Sequence, residues 1–98
     1  MIYLDNAATT YPKPQLVLAA VHYASKNLGA NPGRSGHTMS IAAAEEIYRS
    51  RKVLADFFHC DGPECVAFTL NCTYAINMVL KGILKSGDHV VISCLEHN

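Results

Sequence analysis

Residues 66–94 have the sequence VAFTLNCTYAINMVLKGILKSGDHVVISC, in which two short apolar runs, 66–70 and 90–94, flank a segment with helical periodicity. The apolar stripe of that segment consists of Ile76, Val79, Leu80, Ile83 and Leu84. Apolar runs of this length predict strands, and the stripe predicts a helix between them. Strand, helix, strand is the pattern of a parallel sheet covered by helices, whose strands are apolar on both faces. The sequence therefore predicts an α/β fold.

Two helices are predicted upstream of this segment. The first follows Pro14, which suits the first helical position, and it ends near Gly29 as a left-handed cap. A loop separates it from a longer helix that ends at about Phe58 and begins near Thr38 or Ser40. That second helix is predicted to be amphipathic, and its predicted inward face consists of Ile41, Ala44, Ile47, Tyr48, Leu54, Ala55 and Phe58.

The chain has 98 residues and is expected to form one domain at most. We divide it into an N-terminal segment over 1–14, a helical part over 15–60 and the start of a parallel sheet over 65–98. A parallel sheet normally has more than two strands, and no element follows the second predicted strand to cover its far side. We therefore expect the sequence to be the N-terminal part of a larger domain.

Composition argues against several classes of partner. Eight Lys and Arg residues balance eight Asp and Glu residues, so no basic surplus is available for nucleic acid. The apolar runs are shorter than the roughly 20 residues that span a bilayer. The N-terminus does not have the features of a secretory signal, so cytoplasmic residence is expected. Four cysteines without a CxxC pair, and only a loose cluster at His59, Cys60 and Cys65, predict neither disulfides nor a metal site.

Ligands of α/β sheets bind beyond the carboxyl ends of the strands, which directs attention to 70–73 and 95–98. The backbone N–H groups of Cys72, Thr73 and Tyr74 begin the predicted third helix, where free donors and the helix dipole favour an anion such as phosphate. The alternative is that Asn71 or Thr73 merely caps the helix. Neither GxGxxG nor GxxxxGK[ST] is present, so neither a dinucleotide fingerprint nor a nucleotide P-loop is indicated.

Four blocks of the sequence resemble, in order and spacing, the class V aminotransferase family, and most closely its cysteine desulfurases. These blocks are YLDNAATT at 3–10, NPGRSGH at 31–37, FTLNCT at 68–73 and EHN at 96–98. Together they span nearly the whole chain. The resemblance implies an aspartate-aminotransferase-like domain, fold type I among pyridoxal-phosphate enzymes, with helices followed by the first strands of a mostly parallel sheet.

Several site residues follow from the resemblance by position. Cys72 and Thr73 fall where such enzymes hold the phosphate of pyridoxal 5'-phosphate. His97 falls on the histidine that stacks over the cofactor ring and assists proton transfer, and Ala7 and Ala8 fall on the substrate side of the pocket. The sequence departs from many relatives at Tyr74, where Glu is common, and at Cys72, where Thr or Ala is usual.

The family also uses a lysine that binds the cofactor covalently, an acidic partner for the pyridine nitrogen and an arginine for the substrate carboxylate. The resemblance implies that these groups, and the mobile cysteine that accepts sulfur, lie downstream of the sequence given. His37 and Asn77 are interpreted as structural residues.

The resemblance therefore predicts the N-terminal part of a cysteine desulfurase, which converts L-cysteine to L-alanine and transfers sulfur to an enzyme cysteine, and which is inactive as this part alone. The full enzyme is expected to be a homodimer and could serve a sulfur-acceptor protein. Three alternatives remain open at this point: an aminotransferase of the same class, a selenocysteine lyase, and a non-catalytic module that binds phosphate or a protein partner.

Overall fold

A computed structural model describes residues 2–7, 9–34 and 36–96. Its regular elements are helix α1 (Gln15–Asn27), helix α2 (Thr38–Phe58), a short 3₁₀ helix (Pro63–Cys65) and helix α3 (Cys72–Ile83). The chain divides into two compact units, one up to Val66 and the other from Ala67 onward. None of the helices in the described residues is both long enough and apolar enough to cross a membrane.

Helix α1 begins one residue later than predicted and ends differently. Pro14 is the N-cap, and its carbonyl accepts hydrogen bonds from the N–H groups of Val17 and Leu18 at 3.0 and 3.3 Å. The predicted left-handed cap at Gly29 is wrong, because the helix ends at Asn27 and its C-cap is Leu28, with φ −114°. The Leu28 N–H closes the last turn on the Ala24 carbonyl at 2.8 Å, so the chain leaves the helix without a left-handed residue.

Helix α2 has the predicted bounds and is fixed at both ends. The N-cap is His37, whose Nδ1 accepts from the Ser40 N–H at 3.3 Å. Ser40 is 1% exposed, and its hydroxyl donates to the Asn31 carbonyl at 2.8 Å. At the other end His59 adopts the left-handed conformation, with φ 55°. This conformation lets the His59 and Cys60 N–H groups reach the last carbonyls of the helix.

The inward face of α2 is confirmed only in part. Ala55, which was predicted to face inward, is 2% exposed, whereas Ile41 from the same predicted face is 48% exposed. Ala43, which was not in the predicted face, is 6% exposed. The helix packs against the 3₁₀ helix. On the outer side, Arg49 pairs at 3.0 Å with Glu46, three residues earlier, and this is the one salt bridge within the described ranges.

The Ser40 hydroxyl is expected to hold the loop before α2. Ser40→Ala leaves the Asn31 carbonyl without this donor, a loss of roughly 1 kcal/mol, so amide hydrogen exchange over 31–40 should accelerate about fivefold. Ser50→Ala is the matched control, because the Ser50 hydroxyl only donates to the Glu46 carbonyl within the same helix. Equal exchange rates in the two variants would contradict this role of Ser40.

The second unit contains α3 but no β-ladder within residues 67–96. The second predicted strand, 90–94, is interrupted at its end by a turn in which the Ser93 hydroxyl donates to Glu96 Oε1 at 2.9 Å. A strand of a parallel sheet forms its backbone hydrogen bonds with neighbouring strands. The segments 66–70 and 90–94 do not form such hydrogen bonds with each other in the structure. The predicted parallel sheet is therefore not confirmed, although the helix between its two predicted strands is present.

The apolar stripe of α3 remains uncovered within the described residues. No residue of the helix is buried, and its four central apolar side chains are 41% to 67% exposed, namely Ile76, Val79, Leu80 and Ile83. An amphipathic helix normally covers such a stripe by packing on another element. The stripe is thus exposed in the part of the chain that the structure describes.

Candidate anion-binding site

Helix α3 begins at an asparagine cap. The Asn71 backbone is extended, with φ −164° and ψ 175°, and its side-chain Oδ1 accepts a hydrogen bond from the Tyr74 N–H at 2.9 Å. The Asn71 carbonyl accepts two more, from the Ala75 N–H at 3.1 Å and from the Thr69 hydroxyl at 2.9 Å. Asn71 therefore connects the segment before the helix to its first turn.

This cap determines which backbone donors are left for a ligand. The first N–H groups of a helix have no partner within the helix itself. Asn71 occupies the Tyr74 N–H, so the prediction that Tyr74 contributes a backbone donor is wrong. The N–H groups of Cys72 and Thr73 have no acceptor among residues 67–96. Asn71, and not Thr73, is the residue that caps the helix, and the Thr73 hydroxyl likewise has no partner in this range.

The charges along α3 favour an anion at its start. The first turn contains no acidic residue, and Lys81 lies in the last turn, where a cation is favoured by the dipole. Cys72 and Thr73 are both exposed, so their N–H groups and the Thr73 hydroxyl can be reached from solvent. Two backbone donors and a hydroxyl, without a nearby carboxylate in the first turn, form a donor set that suits phosphate.

Asn77 lies one turn further along the helix and bonds to the helix backbone. Its Nδ2 donates to the Thr73 carbonyl at 2.9 Å. This hydrogen bond joins the first two turns of α3, in agreement with the structural role predicted for Asn77. The structural role predicted for His37 is likewise confirmed by its position as the cap of α2.

The predicted substrate-side residue Ala7 lies in an N-terminal loop that is closed by its neighbours. Asn6 accepts from the Tyr11 N–H at 3.0 Å through Oδ1 and donates to the Tyr3 carbonyl at 3.3 Å through Nδ2. Lys13 Nζ donates to Thr9 Oγ1 at 2.9 Å. A cavity of about 530 Å³ lies between this loop and the start of α1, and it is lined by Asn6, Ala7, Thr9, Thr10, Lys13, Pro14 and Val17.

Ala8 and His97, the other two predicted site residues, lie outside the described residues. The structure therefore describes Ala7, Cys72 and Thr73 among the predicted set. Ala7 belongs to the first compact unit, and Cys72 and Thr73 belong to the second.

Sequence reasoning did not find the contributions of Asn6, Lys13 and Thr69. Each acts through a hydrogen bond to a residue two to five positions away, as in the Thr69 hydroxyl donating to the Asn71 carbonyl. Such bonds depend on loop conformation, and the residue types alone do not specify it. The one sequence signal for these hydrogen bonds is the tendency of Asn and Thr side chains to bond to nearby backbone groups.

The remaining reactive side chains do not form a second site within the described ranges. All four cysteines are free thiols and exposed, namely Cys60, Cys65, Cys72 and Cys94. No group of three or more His, Cys, Asp or Glu residues is arranged to hold a metal ion in the described part of the chain. The start of α3 is thus the feature of the second unit with a donor set suited to a ligand.

Comparison with known proteins assigns the family. The model of the family described as aminotransferase class-V matches residues 2–98, essentially the whole chain. The chain therefore belongs to the class-V aminotransferase family, as the four sequence blocks predicted. Enzymes of this family are generally dependent on pyridoxal phosphate.

Several individual relatives within this family are named cysteine desulfurases. A probable cysteine desulfurase of Synechocystis is 34% identical over all of this chain and 24% of its own length. A probable cysteine desulfurase of Methanothermobacter thermautotrophicus is 36% identical over 99% of this chain and 24% of its own length. A cysteine desulfurase of Synechococcus elongatus is 32% identical over all of this chain and 16% of its own length. No solved structure matches the chain significantly.

The chain thus spans about a quarter of the length of the first two of these relatives. The prediction of the N-terminal part of a larger domain agrees with this coverage.

Proposed function

We propose that this chain forms the N-terminal part of a pyridoxal-phosphate-dependent cysteine desulfurase, and that the start of α3 binds the phosphate of the cofactor. The observation that carries the proposal is the donor set of two unpaired backbone N–H groups and the Thr73 hydroxyl at a helix start without acidic residues. Family membership over residues 2–98 and relatives named cysteine desulfurase support it.

The residues at this helix start have distinct roles in the proposal. The Cys72 and Thr73 N–H groups would donate to phosphate oxygens, and the Thr73 hydroxyl would add a third donor. The Cys72 thiol is not the sulfur-accepting nucleophile, because a group in the phosphate site faces the cofactor and not an incoming thiol. That nucleophile, together with the lysine that binds the cofactor, belongs to the downstream part of the domain.

The chemistry is divided between cofactor and protein. When bound, pyridoxal phosphate supplies an electron sink for the bonds of the substrate amino acid. By their positions in the matching blocks, His97 would hold the cofactor ring and move a proton to or from the substrate, and Ala7 and Ala8 would line the substrate side of the pocket. These assignments follow from the matching sequence blocks. L-cysteine is the substrate, and L-alanine and an enzyme persulfide are the products.

The proposal includes the architecture of the larger protein. Residues 66–70 and 90–94 join a mostly parallel sheet of fold type I, whose further strands provide the ladder partners that these segments lack here. Residues 1–14, 15–60 and 65–98 are its N-terminal segment, helical part and sheet start. The enzyme is a cytoplasmic homodimer that passes sulfur to an acceptor protein. We call these 98 residues, joined to the rest of such a domain, for example that of the Synechocystis relative, the full domain.

Thr73→Ala in the full domain is expected to weaken retention of the cofactor. One hydrogen bond to a charged phosphate is worth roughly 1.5 to 3 kcal/mol, which corresponds to about a 10- to 150-fold change in affinity. Cys72→Ser is the matched control and should change affinity little, because it preserves the backbone N–H. Release of pyridoxal phosphate into phosphate-free buffer, followed by absorbance, measures the difference. Equal retention by the two variants would show that the Thr73 hydroxyl does not contact the phosphate.

A further inference from the structure

We propose that Asn71 is a positioning residue of the phosphate site, and that its side chain must be both a helix cap and uncharged. The inference rests on the proposed function of the α3 start and extends it to a residue that does not itself donate to the ligand. The three hydrogen bonds that meet at Asn71 carry it: Oδ1 accepts from the Tyr74 N–H, and the carbonyl accepts from the Ala75 N–H and the Thr69 hydroxyl.

The Asn71 cap fixes the direction of the two backbone donors. Cys72 and Thr73 lie between Asn71 and Tyr74, and the Asn71 side chain closes this short segment by its 2.9 Å hydrogen bond. The flanking residues Asn71 and Tyr74 therefore keep the two N–H groups that would bind phosphate pointing along the helix axis. Without the cap, the first turn of a helix frays and these donors lose a fixed direction. The Thr69 hydroxyl fixes the same turn from the preceding segment.

The second requirement concerns charge. Asp and Ser cap helices about as well as Asn does, so capping alone does not distinguish the three residues. A carboxylate at position 71 would, however, lie one residue before the two donors and would repel a phosphate that binds them. The first turn of α3 is free of acidic residues, so no carboxylate of this turn opposes the favourable effect of the helix dipole on an anion. An uncharged cap preserves this condition.

Three substitutions separate the two requirements. Asn71→Ser keeps the cap without charge, Asn71→Asp keeps the cap and adds a charge, and Asn71→Ala removes the cap without adding a charge. Each is introduced into the full domain, and the dissociation constants of inorganic phosphate and of pyridoxal phosphate are measured together with hydrogen exchange at the Tyr74 amide in the cofactor-free protein. The exchange rate reports the cap independently of ligand and of activity.

We expect Asn71→Ser to bind both ligands within about threefold of the parent, with slow Tyr74 exchange. Asn71→Ala should accelerate Tyr74 exchange and raise both dissociation constants about 2- to 30-fold, the equivalent of a lost cap. Asn71→Asp should keep Tyr74 exchange slow and yet raise both constants on the order of tenfold, and this penalty should shrink as salt is added.

Two results would overturn the inference while the proposed function stands. If the parent binds phosphate and Asn71→Ala binds it equally well despite fast Tyr74 exchange, Asn71 does not position the donors. If Asn71→Asp binds like the parent at low salt, the requirement for an uncharged cap is wrong. A parent full domain that folds and binds neither ligand would instead overturn the proposed function, and the role of Asn71 with it.

Discussion

Replacing His97 by alanine in the full domain should slow the formation of alanine from L-cysteine about 10²- to 10⁴-fold, the usual contribution of general acid–base catalysis. Cofactor affinity should fall much less, since loss of one aromatic contact costs roughly 0.5 to 1.5 kcal/mol, or about tenfold at most. In the proposed enzyme the phosphate site and a downstream lysine would still hold the cofactor in the variant, whereas proton transfer would have no such second group. Rates under saturating cofactor and retention of cofactor after dialysis measure the two effects separately.

His97→Phe distinguishes the two roles proposed for this histidine. Phenylalanine preserves a flat ring over the cofactor but cannot carry a proton. We therefore expect cofactor affinity close to that of the parent and turnover as low as in His97→Ala. Recovery of turnover to near the parental rate in His97→Phe would mean that His97 only stacks.

The second large effect concerns the 98 residues alone, which are expected to release no sulfide from L-cysteine. None of their five lysines matches the family context of the cofactor-binding lysine, namely Lys13, Lys26, Lys52, Lys81 and Lys85. Lys13, for example, donates to Thr9 Oγ1 and to the Thr10 carbonyl in the N-terminal loop. Without that lysine and the downstream cysteine, the reaction has neither its covalent anchor nor its sulfur acceptor.

This expectation is measured by incubating the purified chain with pyridoxal phosphate, dithiothreitol and L-cysteine. Borohydride reduction and peptide mapping then report any covalent attachment to lysine. The control is the full domain under the same conditions, which should release sulfide and carry one dominant adduct. Sulfide release by the 98 residues that persists after removal of host desulfurase, or one dominant lysine adduct in them, would refute the expectation.

The helices could be predicted because their signals are local. Helical periodicity placed α2 and the helix of the second unit near their observed bounds, and Asn71 was one of two candidates for the cap. The C-terminal cap of α1 was predicted wrongly, because it depends on which of several competing local hydrogen bonds forms. Leu28 is the C-cap of α1, and the hydrogen bond from its N–H to the Ala24 carbonyl closes the last turn without a left-handed residue at Gly29.

The sheet could not be established from this chain because strands are stabilised by partners far apart in sequence. An apolar run such as 66–70 indicates a buried strand only when neighbouring strands and covering helices are present. In the described residues this run has no ladder partner, and the apolar stripe of α3 has no covering element. Helix formation requires no such partners, which is why the helices of the α/β prediction are confirmed and its sheet is not.

The candidate site was predictable in position but not in detail. A polar turn between an apolar run and a helix directed attention to Cys72 and Thr73, and the family resemblance supplied the phosphate. The residue types could not decide whether Asn71 or Thr73 caps the helix, and they placed the Tyr74 N–H among the donors. Both points depend on the direction of the Asn71 side chain, which the structure provides.

Quantifying alanine formed from L-cysteine by the purified full domain tests the central claim most directly. With pyridoxal phosphate and dithiothreitol present, the account predicts that each full domain retains about one cofactor and produces alanine and sulfide in equal amounts over many turnovers. Thr73→Ala, assayed beside it at limiting cofactor, should lose activity that excess pyridoxal phosphate restores. A folded full domain that produces no alanine from cysteine, or one that instead transfers the amino group to a 2-oxo acid without releasing sulfide, would contradict the account.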